Sequence, residues 1–105
     1  MIIRGIDLDR AAIRDFCRKW KIRELHVFGS ILRDDFRANS DVDFLADFDE
    51  TEERDVFDHM DMEDELAALV GRNVDLVSRS AIEASGNRFY KKEILSTAEQ
   101  VLAEG

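Results

Sequence analysis

The sequence predicts a mixed α/β domain. Three observations point there. Apolar stretches at helical spacing alternate along the chain with short runs of period two. Hydrophobic residues make up 45% of the 105 residues, enough for one modest core and too many for a disordered tail. There is no proline and there are only five glycines, so no linker is evident and residues 1–105 read as one domain.

The elements follow in order. Ile13, Phe16, Cys17 and Trp20 recur at helical spacing, with Asp7 or Asp9 as N-cap, and predict a helix over 8–20. In "ELHVF", Leu25 and Val27 point one way and His26 and Phe28 the other, a short strand ending at Gly29. "SILRDDF" reads as a short helix opened by Ser30. "DVDFLADF" is the clearest strand: Val42, Phe44, Ala46 and Phe48 share one face, Asp41, Asp43, Leu45 and Asp47 the other. Residues 53–70 form a helix with Leu66, Leu69 and Val70 as its apolar stripe and Gly71 as its stop. "NVDLV" is a third strand, with Val74 and Leu76 inward and Asp75 on the opposite face. A last helix is expected over 87–103, packing through Phe89, Ile94, Leu95, Ala98 and Val101 or Leu102.

The formal net charge of −9 argues against broad binding to nucleic acid, which needs a basic surface to release counterions. It leaves room for a nucleotide, whose phosphates can be neutralised by metal ions and a few bases. Eleven acids and one base, Arg54, lie between Asp47 and Glu65, most of them on a solvated face. Arg72, Arg79, Arg88, Lys91 and Lys92 concentrate positive charge towards the C-terminus. The lone Cys17 permits no intramolecular disulfide and, on an apolar stripe, reads as an inert buried thiol. "MIIRGIDLDR" is charged too early for a signal peptide, and no apolar run approaches 18 residues. A cytoplasmic protein with no membrane contact is expected. His26 and His59 show no ligand spacing, and Tyr90 reads more as a core edge than as a platform for a base.

Asp41 and Asp43 are the candidate chemistry. Same-face neighbours on a strand lie about 6.6–7 Å apart along the chain, so two such carboxylates can lean onto divalent ions. Mg²⁺ takes hard oxygen ligands and keeps waters and phosphate oxygens in its shell. Asp75, on the polar face of the third strand, is the candidate third carboxylate, binding the catalytic metal and helping to activate an attacking hydroxyl. Gly29 lets the backbone turn sharply against a ligand, and Ser30 adds a small hydroxyl beside amides that can meet phosphate oxygens. Arg33, three residues on, lies on the same helical side as Ser30, within reach of a triphosphate.

"GSILRDDFRANSDVD", Gly-Ser, ten residues, Asp-x-Asp, resembles the signature of the DNA polymerase beta-type nucleotidyltransferase superfamily. The whole chain is similar to its smallest branch, the minimal nucleotidyltransferase (MNT) domains: "ELHVFGS" fits the preceding strand, "LAALVGRNVDLVSRSAI" a leucine-rich helix and Val-Asp-Leu-Val strand, "NRFYKKEILSTAEQVL" the closing helix. Members often carry Gly after the Arg; here Asp34 follows Arg33. The resemblance implies a small mixed β-sheet with helices mainly on one face and the active site on the other. It implies transfer of AMP from ATP to a hydroxyl, with two Mg²⁺ ions on Asp41 and Asp43, Asp75 completing the catalytic metal's shell, and Gly29, Ser30 and Arg33 on the phosphates. MNT proteins commonly pair as antitoxins with HEPN proteins, RNA-cleaving toxins, so the implied acceptor is a tyrosine of a HEPN partner. Acceptor recognition would come from that chain or from an oligomer, and the acidic 47–65 segment suits a basic partner. A binding-only antitoxin and a small-molecule nucleotidyltransferase of aminoglycoside type are the alternatives.

Overall fold

The computed structural model describes residues 2–3, 6–34, 36–37, 39–49 and 54–103, with the backbone alone at 2, 3, 102 and 103. A short hairpin, β1 (Ile2–Ile3) and β2 (Ile6–Asp7), precedes helix α1 (Arg10–Trp20). Asp9, rather than Asp7, caps α1: its carboxylate accepts the amides of Ala11 and Ala12 at 3.0 and 3.3 Å. Then come β3 (Ile22–Phe28), a single 3₁₀ turn (Gly29–Leu32), β4 (Val42–Phe48), α2 (Val56–Val70) and β5 (Val74–Ser78). Two helices, α3 (Arg79–Glu83) and α4 (Arg88–Thr97), lead to a final strand, β6 (Glu99–Ala103). The four-stranded sheet has the order β5-β4-β3-β6; β4 and β5 are parallel, the other pairs antiparallel.

Period-two patterning decides what each face carries. Val42, Phe44 and Ala46 of β4, with Leu25, Val27 and Leu76 of the neighbouring strands, pack beneath Ile13, Phe16 and Cys17 of α1 and Met62 and Leu66 of α2. The opposite face is polar at one end and apolar at the other, where Phe28 and Leu45 meet Ile82 of α3 and Ile94 of α4. This is the mixed sheet with most of its helix packing on one side that the sequence implies.

Several expectations need correction. The segment expected to be one helix over 87–103 breaks at Ala98 and returns as β6, paired with β3 through Glu99↔Val27 and His26↔Gln100. The free edge of β3 supplies backbone partners, and Val101 goes into the main core; both outweigh local helical periodicity. Ser96 and Thr97 hydroxyls donate back to the Lys92 and Glu93 carbonyls (2.6 and 2.5 Å), fraying the helix from within. Phe89 is 87% exposed, because Tyr90 and Ile94, not Phe89, face the sheet side of α4. Leu69 is exposed too; the buried stripe of α2 runs Met62, Leu66, with Val70 packed at its edge. Among the described residues the helix expected from "SILRDDF" is a single 3₁₀ turn, Gly29–Leu32, and α3, capped by Ser78 Oγ on the Ala81 amide at 3.1 Å, has no counterpart in the expected elements. Residue 53 of the expected middle helix, Asp35 of "SILRDDF", the side chain of Leu102, and Glu50, Glu52 and Glu53 of the acidic segment lie outside the described residues.

Candidate functional site

Three neighbouring strands end at one place on the polar side of the sheet. β3 delivers Gly29 and Ser30 at its C-terminal end, β4 delivers Asp43 at its second residue, and β5 delivers Asp75 at its second residue. Asp43 pairs in register with Phe28 on one side and with Asp75 on the other, so the two carboxylates stand on the same face of adjacent strands. Adjacent strands are about 4.8 Å apart, so these side chains can share a ligand.

Gly29 is fixed by geometry. Its φ is +74°, and a methyl group on it would overlap Asp43 Oδ2. The absence of a side chain lets the Asp43 carboxylate lie directly on the turn, where it accepts a hydrogen bond from the Ser30 backbone amide. The Asp43 pKa is raised above the ordinary carboxylate value: burial contributes most, then the charges of Asp75 and Asp41. Arg33 and the Ser30 amide pull it the other way without prevailing.

Gly29, Ser30, Arg33, Asp43 and Asp75 all line one cleft of about 370 Å³. Leu32, Phe28, Val77 and Ile94 form its apolar wall, and Tyr90, Glu93 and Thr97 of α4 form its rim. Asp41 does not line it. It sits exposed, one residue ahead of β4, close enough to act on the charge of Asp43. Its backbone carbonyl lies 3.4 Å from Ser30 Oγ. Among the described residues, no three His, Cys, Asp or Glu side chains converge as a metal cluster. The structure therefore brings together five of the six residues singled out in the sequence and leaves Asp41 beside them. Asp43 and Asp75 nonetheless suit a hard divalent cation: their oxygens are the right donors, and a cation between them would offset both the burial of the Asp43 charge and its repulsion by Asp75.

Two contributors escape sequence reasoning. Arg72 clasps the loop between the Gly-Ser turn and β4: its guanidinium donates to the carbonyls of Ser40 (3.2 Å) and Arg37 (3.0 Å) and stacks on Phe36 with its carbon 4.5 Å from the ring centre. An arginine after a helix-ending glycine is no signal of a clasp on a loop over 30 residues earlier. The second is the α4 rim. Tyr90, Glu93 and Thr97 recur at spacings of three and four on one side of α4; from the sequence alone Tyr90 reads as a core edge, and neither Glu93 nor Thr97 is singled out. Lys91, by contrast, reaches away from the cleft, to the Glu83 carbonyl at 3.0 Å.

Comparison with known proteins identifies the family and the fold. A family model described as Nucleotidyltransferase domain matches residues 10–100. The protein adenylyltransferase MntA of Thermococcus cleftensis is 32% identical over 82 residues, covering 78% of this chain and 81% of that protein. In overall shape, the chain is similar to one in a crystal structure of a toxin–antitoxin with AMP-PNP (TM-score 0.67, 19% identity, 91% of this chain and 74% of that one). It also resembles a chain in the complex of tri-AMPylated Shewanella oneidensis HEPN toxin with MNT antitoxin (TM-score 0.59, 17% identity, 90% and 69% covered). At those identities the two structures speak to the fold. No described helix is long and apolar enough to cross a membrane.

Proposed function

The chain belongs to the nucleotidyltransferase domain family, and from that premise we propose that it is a protein adenylyltransferase, moving AMP from ATP to a tyrosine hydroxyl of a HEPN toxin and so acting as that toxin's antitoxin. The observation that carries the reading is the register of Asp43 and Asp75 beside the Gly29-Ser30 turn, in one cleft. The adenylyltransferase relative supports the reaction. The like-folded chains in toxin–antitoxin complexes support the choice of partner.

The residues divide the work along the cleft. The Gly29-Ser30 turn receives the β- and γ-phosphates, because glycine lets the chain turn sharply at the cleft and the Ser30 hydroxyl can donate. Arg33 balances phosphate charge from the same wall. Asp43 and Asp75, with Asp41 at the margin, would hold Mg²⁺, and phosphate oxygens would complete the shell. Bound there, Mg²⁺ supplies neutralisation of the triphosphate and of charge developing at the transferred phosphorus. Asp75 takes the proton of the incoming hydroxyl. Little covalent chemistry is asked of the protein; placement and charge do most of it.

The test is direct. Purified chain, α-labelled ATP and Mg²⁺ should label the cognate HEPN protein, and Asp43→Asn or Asp75→Asn should lower that labelling by at least a hundredfold. Unlabelled toxin that is still neutralised by the Asp43→Asn chain would establish a binding-only antitoxin. Label appearing on an aminoglycoside instead would move the acceptor to small molecules.

A further inference from the structure

The chain's single tyrosine lies on the rim of the cleft that holds the two carboxylates, and the course of α4 places it at the acceptor end. Across the sheet the order is the Gly29-Ser30 turn on β3, Asp43 on β4, Asp75 on β5. Helix α4 runs along the same row. Its first turn is tied to α3, which follows directly from β5, through Lys91 Nζ on the Glu83 carbonyl. Its last turn is one residue from β6, whose Glu99 pairs with Val27 of β3. Thr97 therefore lies towards the Gly-Ser turn and Tyr90 towards Asp75. Seven helical residues span about 10 Å, and two strand spacings about 9–10 Å, so the two ends match. In a displacement at the α-phosphate, the nucleophile enters opposite the leaving pyrophosphate. With pyrophosphate on the Gly-Ser turn, that side is the Asp75 side.

Three hydroxyls line the cleft, and two are engaged. Ser30 Oγ is given to the phosphates in the reading above, and Thr97 Oγ1 donates to the Glu93 carbonyl at 2.5 Å. Tyr90 is 44% exposed. Its backbone amide donates to Asn87 Oδ1 at 3.1 Å, and among the described residues no hydrogen bond engages its phenolic oxygen.

We propose that Tyr90 is itself an acceptor, and that the chain adenylylates it within its own cleft. This rests on the nucleotidyltransferase reading above. Tyr90 Oη attacks the α-phosphorus of ATP. The Oη–P bond forms as the bond from that phosphorus to the oxygen bridging to the β-phosphate breaks. Pyrophosphate leaves and the phenolic proton passes to Asp75. One tyrosine and one ATP become one adenylylated tyrosine, pyrophosphate and a proton, with no change of oxidation state. The attached AMP then occupies the cleft, so modification stops at one per chain.

The experiment incubates the full chain with ATP and Mg²⁺, with and without the cognate HEPN protein, and reads intact mass and peptide position. The expected result is one AMP per chain, on Tyr90, at a first-order rate independent of protein concentration, and none on Tyr90→Phe, which keeps the ring. AMP arriving on the HEPN protein while the chain stays unmodified would overturn the inference and leave the transferase reading standing. An adduct on serine or threonine, an adduct retained in Tyr90→Phe, or a rate that scales with concentration would overturn it equally. No AMP on any acceptor would sink both readings together.

Discussion

Gly29→Ala tests the pinning of Asp43 against the turn, and the protein carries its own control. Gly29 and Gly71 have nearly the same φ, +74° and +73°. A Cβ at Gly71 meets nothing within 4 Å; at Gly29 it overlaps Asp43 Oδ2. Left-handed backbone costs a non-glycine residue about 1 kcal/mol. Gly71→Ala should therefore destabilise by about 1 kcal/mol, or about 4–8 °C in Tm for a domain near 100 residues. Gly29→Ala bears the same strain and must also turn the Asp43 carboxylate off the Ser30 amide. A hydrogen bond to a charged group contributes about 1.5–3 kcal/mol when buried, and Asp43 is half-buried, so the lower end applies. The total is about 2–3 kcal/mol. Urea unfolding of both variants, and of Gly29→Ala in an Asp43→Ala background, separates the contributions, because removing the carboxylate should return Gly29→Ala to the cost of Gly71→Ala. Equal destabilisation by the two single variants, or an excess that survives in the Asp43→Ala background, would refute the contact.

Asp43→Asn should raise the stability of the nucleotide-free protein at neutral pH, since the charged form is the disfavoured one. Because its folded pKa lies above the ordinary 3.8, the wild-type protein should gain stability relative to the variant as pH falls through the folded value, with nothing further gained below 3.8. The same variant should lose the rise in Tm that ATP with Mg²⁺ gives the wild type, as differential scanning fluorimetry would read. Glu65 behaves oppositely. Burial alone would raise its pKa, but hydrogen bonds from Lys19 and from Trp20 Nε1 (2.5 Å) bring it below the ordinary 4.5. Its contribution is complete above 4.5 and fades as pH falls through the folded value, so Glu65→Gln should flatten the acid limb of a stability–pH curve. Arg72→Ala removes two hydrogen bonds and a ring contact from the 36–40 loop. It should cost about 1–3 kcal/mol and speed amide exchange at Ser40 by at least tenfold, leaving α1 unchanged.

How much of this was legible in the sequence depends on how local the cause is. Alternation in "DVDFLADF" placed Val42, Phe44 and Ala46 in the core, and it placed Asp43 opposite them, because side-chain direction in a strand follows from the backbone alone. The same rule put Asp75 on the polar face of its strand. Asp41 shows the limit of that rule: the alternation continues back to it, but the strand does not. The tail of the chain failed for a different reason. Ile94, Leu95, Ala98 and Val101 satisfy helical spacing, yet the vacant edge of β3, seventy residues earlier, decides that Val101 belongs to a strand. Leu45 sat on the face expected to be polar and is buried, because α3 and α4 fold over that end. No property of residues 41–48 announces that cover.

Glu63 stood among the acids read as a solvated face, yet its carboxylate accepts the Leu76 amide of β5 at 2.8 Å. That amide faces away from β4, on the outer margin of the sheet. An open margin is a template on which a second molecule can lay a strand and begin to polymerise. Here a side chain already occupies the place an invading carbonyl would need, so an intruder must first evict a carboxylate. The protein guards against fibre growth along the very strand that presents Asp75, with a charge that composition alone would count as decoration.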